Sequence, residues 1–245
     1  VNAPATFTVL GVRVHRLTMR GASARLEAML ASPGRHTVIP VNPEMVIAAR
    51  SNGAFRAAIN EASLALPDGT GVLLAARLQA GERAERVAGV DAVEEIARIA
   101  ARDKLGLFLL GASPGVAEEA GRALAARHAG LVIAGTYAGS PDPAEEEAIS
   151  ARVNDSQAAA LLVAYGAPRQ ELWIARNRAR LSPRLVMAVG GTFDFLSGRK
   201  ARAPRWMRSA GLEWLYRLAQ EPRRWRRMLA LPQFAFLAVT ERITR

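Results

Sequence analysis

Ala160-Leu161-Leu162-Val163-Ala164-Tyr165-Gly166-Ala167-Pro168-Arg169-Gln170-Glu171 decides the fold. Five apolar residues without alternation, Ala160–Ala164, read as a strand buried on both faces. A glycine turn follows, and from Arg169 to Arg180 the apolar residues recur at helical spacing. The same unit repeats on either side. Thr37–Val41, Leu64–Leu66, Leu107–Leu110, Leu131–Ala134 and Leu185–Val189 read as further strands. Pro43–Arg50, Ala54–Ala62, Gly71–Leu78, Asp91–Arg102, Gly115–His128 and Pro143–Val153 read as helices between them. Pro43, Pro114 and Pro143 suit a first helical turn, and Asn42 and Asp91 suit caps. The pattern predicts an α/β fold, a Rossmann-like and largely parallel sheet with helices on both faces.

The alternation stops after Val189. Gly190-Gly191-Thr192-Phe193-Asp194 reads as a turn, Gly198–Ala203 as a basic loop, and Pro204–Ala219 and Pro222–Thr240 as helical stretches. Charge changes at the same place. The 245 residues carry 33 Lys/Arg against 22 Asp/Glu, a net +11, and residues 197–245 hold twelve of those bases and three of those acids, a net +9. Three of the four tryptophans, Trp206, Trp214 and Trp225, lie there too. We therefore expect two units: a nearly neutral α/β body over 1–196 and a basic, amphipathic helical appendage over 197–245. Basic residues beside Trp225, Met228, Leu229, Phe236 and Val239 suit a bilayer interface rich in anionic lipid, or a helix packed on the body with a solvated arginine face.

Composition narrows the chemistry. Half the residues are hydrophobic, which excludes a disordered chain, and the absence of cysteine excludes disulfides, zinc-thiolate sites and cysteine nucleophiles. His15, His36 and His128 are scattered without ligand spacing, so no metal site is expected. Arg13, His15 and Arg16 interrupt any apolar run in Val1–Arg20, which reads as no signal peptide. Ala158–Ala167 and Met228–Val239 fall short of the ~20 residues that span a bilayer.

In an open α/β sheet the ligand lies beyond the carboxyl ends of the strands. The segments there are Asn42, Pro67–Gly71, Gly111–Gly115, Gly135-Thr136, Gly166–Glu171 and Gly190–Asp194, nearly all glycine-bearing, and together they suggest one extended nucleotide-type site. Asp68, between a buried strand and a Gly-Thr-Gly turn, is either a general base or the cap of the next helix. Asp194 is a nucleotide contact or a turn residue, and Gln170 with Glu171 bind a ligand or complete a helix N-terminus. Arg217, Arg224 and Arg227 share one face of a continuous helix, unless Pro222 breaks it, and their guanidinium groups suit a diphosphate.

Taken in order, the strings Asn42-Pro43-Glu44, Pro67-Asp68-Gly69-Thr70-Gly71-Val72, Glu85-Arg86-Val87-Ala88-Gly89-Val90-Asp91 and Gly166–Glu171 resemble the WecG/TagA/CpsF glycosyltransferases of bacterial cell-surface polymer synthesis. Gly190–Asp194, Arg202-Ala203-Pro204, Gly211–Arg217 and Glu221-Pro222-Arg223-Arg224 continue the likeness, which runs from about Thr37 to Arg227. The resemblance implies a GT-E-type core and a metal-independent, cofactor-free, inverting transfer of a hexose or N-acetylhexosamine from a UDP-sugar to a polyprenyl-diphosphate-linked sugar. It further implies Asp68 as the general base and Asn42, Arg86, Gln170 and Asp194 as substrate-binding residues. Arg217, Arg224 and Arg227 would hold the diphosphate. The implied setting is cytoplasmic and peripheral, on the inner face of the plasma membrane, with self-association off the membrane.

Two positions depart from the family pattern. Pro40 stands where many members have threonine, which leaves the donor open among N-acetylmannosamine, its uronic acid and glucose. Arg169 replaces the usual lysine and keeps its charge. Two rival readings fit less well. A nucleic-acid binder would use the tail on phosphates, yet that tail is rich in Leu, Met and Phe. A dinucleotide oxidoreductase would need a Gly-X-Gly-X-X-Gly after the first strand, and none is present.

Overall fold

The computed structural model describes residues 5–80 and 84–243; residues 1–4 of the body and Arg245 of the basic tail lie outside the described residues. The chain opens with an antiparallel hairpin, β1 (Thr6–Val9) and β2 (Val12–His15), and a helix α1 (Met19–Ala31). There follow β3 (His36–Val41), α2 (Pro43–Ser51), α3 (Gly53–Asn60), β4 (Leu64–Pro67), α4 (Thr70–Ala80) and α5 (Gly89–Arg102). Next come β5 (Gly106–Gly111), α6 (Val116–Arg127), β6 (Val132–Tyr137), α7 (Glu146–Asp155) and β7 (Ala160–Ala164). The body ends with α8 (Arg169–Asn177), β8 (Leu185–Ala188) and α9 (Thr192–Leu196).

Strands β3 to β8 form one parallel sheet in the order β4-β3-β8-β7-β5-β6. The unbroken apolar runs are explained by burial on both sides. Leu107, Leu109, Ala160, Leu162, Leu185 and Met187 enter a core with α1, α5, α6 and α9. Their neighbours Phe108, Leu110, Leu161, Val163, Val186 and Ala188 enter a second core with α2, α3, α4, α7 and α8. This is period-2 alternation onto two covered faces.

The crevice lies between β3 and β8, where the strand order reverses. Their ladder runs only from His36–Leu185 to Val38–Met187, while β3 continues against β4 to Val41–Pro67. Pro40 sits in that extension, opposite Leu66 of β4 and past the last pairing with β8. A strand residue without an N–H is tolerated where one neighbour has already departed.

Two local expectations need correction, and the N-terminal hairpin with α1 adds to them. Gly135 lies within β6, which runs on to Tyr137, because β5 and β6 shift register at Leu107/Phe108 and the Phe108 ring leaves no room for a side chain there. Asp91 does not cap α5, which starts at Gly89; it lies in the first turn and binds Arg202. The hairpin and α1 have no counterpart in the sequence reading, because β1 and β2 are four residues each and the hydrophobic spacing of α1 is weak.

Beyond Ser197 the chain forms α10 (Arg205–Ser209), α11 (Glu213–Gln220), α12 (Trp225–Met228) and α13 (Ala230–Ile243). The single helix predicted over Pro204–Ala219 is two, separated at Gly211, whose φ of +74° lies in the left-handed region and whose missing side chain admits Thr70. Pro222 opens a 3₁₀ turn, so α11 and α12 are not continuous. Helix α13 packs on α4 and α2, and its Phe234 and Ala238 join the same buried cluster as Val41, Met45 and Val72. Among the described residues no helix is long and apolar enough to cross a membrane.

A Cβ at Gly135 would stand 2.5 Å from the Phe108 ring. Gly135→Ala should lower unfolding stability by about 1–3 kcal/mol in chemical denaturation. Ligand binding should be unchanged, since β6 is the sheet edge far from the crevice.

Candidate active site

Four strand ends meet around a cavity of about 610 Å³, within the range of small-molecule sites. Asn42 follows β3, Asp68 and Gly69 follow β4, Gly166 and Ala167 follow β7, and Gly190 and Gly191 follow β8. Gly111–Gly115 at the end of β5 and Gly135-Thr136 within β6 do not line it. The site is thus narrower than the six strand-end segments suggest, and it straddles the switch point alone. The remaining wall comes from α4, Arg86 and the C-terminal helices, through Glu213, Arg217, Arg224, Arg227 and one face of α13.

Asp68 is positioned by its own backbone. Its N–H and that of Gly69 donate to the Val41 carbonyl, and its carbonyl accepts from Arg86 Nε at 2.7 Å. The carboxylate is turned to the start of α5, where it accepts the Gly89 N–H. Its side chain stays 25% exposed in a cavity otherwise walled by protein. Burial pushes its pKa above the ordinary carboxylate range, and the charge of Glu213 acts in the same direction. Arg86, the Gly89 N–H and Arg217 oppose that shift without cancelling it.

Arg86 is shared. Its Nη2 donates to Glu213 Oε2 at 2.6 Å and reaches Asp68 Oδ1 only at 3.5 Å. Glu213 lies 3.6 Å from Arg202 Nε through its other oxygen, and Arg202 binds Asp91 through two bonds of 2.6 and 3.0 Å. Five alternating charges, Asp68–Arg86–Glu213–Arg202–Asp91, therefore run from the centre of the site through the C-terminal helices to α5.

Asn42 caps α2, its Oδ1 accepting the Met45 N–H at 3.0 Å, which leaves Nδ2 for a ligand. Gln170 is a clasp. Its Oε1 accepts the N–H groups of Gly166 at 3.1 Å and Gly190 at 3.0 Å, tying the β7 loop to the β8 loop. Its Nε2 donates to Glu171 Oε1 at 2.8 Å. Glu171 is 1% exposed, and burial raises its pKa to about 7 against the opposing bond from Gln170. Asp194 does not line the cavity; it lies in α9 and binds Lys200 at 3.1 Å, and Lys200 binds Glu221 at 2.7 Å.

The three arginines converge although their helix is broken. Arg217 stacks over Phe195, its guanidinium carbon 4.9 Å from the ring centre. Arg224 lies 3.8 Å from Glu44 and 3.6 Å from Glu221, and Arg227 lies 3.1 Å from Glu44. The Nε groups of Arg217 and Arg224 are buried without a hydrogen-bond partner among the described residues, an arrangement that suits an anion. Sequence reasoning gave no role to Glu213 or Glu44. Both stand in the quoted strings, but an acid among arginines carries no signal of its partner until the fold is known.

The profile of the glycosyl transferase WecG/TagA/CpsF family matches residues 7–245. An N-acetylglucosaminyldiphosphoundecaprenol N-acetyl-beta-D-mannosaminyltransferase of Bacillus subtilis (strain 168) is 33% identical over 202 residues, covering 82% of this chain and 78% of the relative. A protein of the same name from Staphylococcus aureus (strain MRSA252) is 30% identical over 234 residues, covering 95% of this chain and 91% of the relative. With the motif strings gathered at one switch-point cavity, these likenesses establish that the chain belongs to the WecG/TagA/CpsF family of glycosyl transferases, enzymes of cell-surface polymer synthesis.

Proposed function

We propose that the protein moves an N-acetylhexosamine of the N-acetylmannosamine class from a UDP-sugar to a sugar carried on polyprenyl diphosphate, with inversion and without a metal. The observation that carries this reading is the composition of this cavity. A carboxylate of raised pKa, three converging arginines and an apolar wall are what an amphiphilic diphosphate acceptor requires. The apolar wall is built from one face each of α4 (Gly71, Leu74, Ala75, Leu78) and α13 (Leu231, Phe234, Ala238, Val239), at helical spacing on both. Both helices begin near the charged groups, α4 just after Asp68 and α13 just after Arg227, and α13 carries the wall about 12 Å onward at 1.5 Å per residue. The names of the relatives support the acceptor and the sugar class.

In this reading UDP lies against Gly166-Ala167 and Gly190-Gly191, where Gly166 opens onto free space and the Arg217 guanidinium stands beside Gly191. The acceptor hydroxyl attacks the anomeric carbon from the face opposite UDP and gives its proton to Asp68. The anomeric carbon–oxygen bond breaks and UDP leaves with the electron pair, so configuration inverts. Arg217, whose guanidinium stands beside Gly191, also meets the charge that develops on the departing UDP, where other enzymes use a divalent ion. Residues 197–245 complete the site, through Glu213 and the three arginines. Exposed Trp206, Trp225, Leu229 and Phe236, set among arginines, support a peripheral position on an anionic membrane surface, the cytoplasmic face of the plasma membrane.

Three outcomes test the proposal, using UDP-N-acetylmannosamine and a short-chain prenyl-diphosphate-N-acetylglucosamine. Asp68→Asn should keep UDP affinity in calorimetry while turnover falls by roughly 10²–10⁴; near-normal turnover removes Asp68 from the role. EDTA should leave the rate unchanged, and strong inhibition restores a metal. Leu74→Gln should raise KM for the prenyl acceptor about tenfold and leave KM for the UDP-sugar alone. An effect on the donor instead would place the lipid elsewhere.

A further inference from the structure

The arrangement around Arg86 carries an inference about Glu213. A guanidinium beside a general base is a hazard, because a tight pair lowers the basicity of the carboxylate and occupies the lone pair that must accept the proton. Here Arg86 is anchored by Nε on the Asp68 carbonyl, which fixes its position next to that carboxylate. Rotation of the guanidinium about this anchor would bring Nη2 onto Oδ1. It stands instead 3.5 Å away, with its short bond of 2.6 Å made to Glu213. Glu213 in turn is buried, begins α11, and is flanked on its far side by Arg202, itself held by Asp91.

We propose that Glu213 is a positioning residue that draws the Arg86 guanidinium off the Asp68 carboxylate, so that the base is free only while α11 is seated on the body. This rests on Asp68 being the base, as proposed above. The groups facing Asp68 are Arg86, the Gly89 N–H at the start of α5, Glu213 and Arg217 of α11, and, farther off, Arg202 of the loop before α10. Of these Glu213 alone opposes the cations. Its loss removes a charge that disfavours ionisation of Asp68 and releases a cation that favours it. Both changes lower the pKa of Asp68.

The sign of the pH dependence follows. Turnover needs ionised Asp68, so kcat/KM falls as pH drops through its pKa and recovers above it. In Glu213→Gln, which keeps the shape and an acceptor oxygen, the acid limb should move down by about one pH unit. The plateau of kcat should fall roughly tenfold, as the carboxylate becomes a weaker and partly occupied base. Glu213→Asp should restore part of both. Carboxyl ¹³C shifts of Asp68, followed by pH titration in the two proteins, give the same pKa change without an assay.

A fall in rate with an unmoved acid limb and an unmoved ¹³C titration would overturn the inference, as would wild-type behaviour in both. The founding reading fails separately: active Asp68→Asn would remove the base itself. Inactive Asp68→Asn with an unshifted Glu213→Gln removes only the role of Glu213.

Discussion

The burial of one guanidinium, that of Arg86, orders the rest of the site. It is held between a carboxylate of the body and a carboxylate of the C-terminal helices, and so ties the two parts of the chain together at the site. A buried ion pair is a weak source of stability, because desolvation offsets most of the attraction. Removing one partner is another matter, since a charge is then left uncompensated. Asp68, Arg86, Glu213, Arg202 and Asp91 form such a series, and each inner member faces an opposite charge on either side. The series works as a fitting between two surfaces, and on the proposed reading its geometry decides how much of the Asp68 carboxylate is left over for chemistry.

The two halves of the cavity are built on different principles. The side formed by β7, β8 and α8 is closed by backbone bonds to Gln170, deep in the fold, and stands ready before any ligand arrives. The side formed by α11 to α13 combines apolar packing through Phe234 and Ala238 with ion pairs around Glu44 and Glu221. The first is insensitive to salt, whereas the second contains partly exposed pairs that salt weakens. Phe234 also shows that the C-terminal segment is no loose extension. It lies against Gly71 at the start of α4, in the same core as the sheet.

The sheet was legible because both its faces are covered. Apolar runs such as Ala160–Ala164 need no alternation, and the strand found there has the same bounds. The hairpin escaped notice because four-residue strands carry too little pattern, and β6 was cut short because Gly135 looks like a turn while serving a ring. At the site, Asp68, Asn42 and Gln170 stand out by their places after strands, where ligands of such sheets lie. Their partners do not. Gln170 is a clasp between two loops and Asp194 is held by Lys200, roles that depend on contacts across twenty residues in one case and on a lysine six residues on in the other. Glu213 and Arg86 are 127 residues apart, and no local spacing could join them.

Glu44 gives the arginine cluster a property that its charge alone would not. It lies in the first turn of α2, where the helix N-terminus favours a negative side chain, and it already engages Arg224 and Arg227. An anion entering there competes with a carboxylate for Arg227 and the outer nitrogens of Arg224, while the Nε groups of Arg217 and Arg224 have no partner to give up among the described residues. A singly charged phosphodiester would replace like with like and gain little. A diphosphate, with more than one charge and more acceptor oxygens, has the advantage. On the proposed reading the enzyme works on a surface crowded with phosphodiester headgroups. There Glu44 acts as an occupant that common lipids do not evict, keeping the seat open for the rarer, more highly charged one.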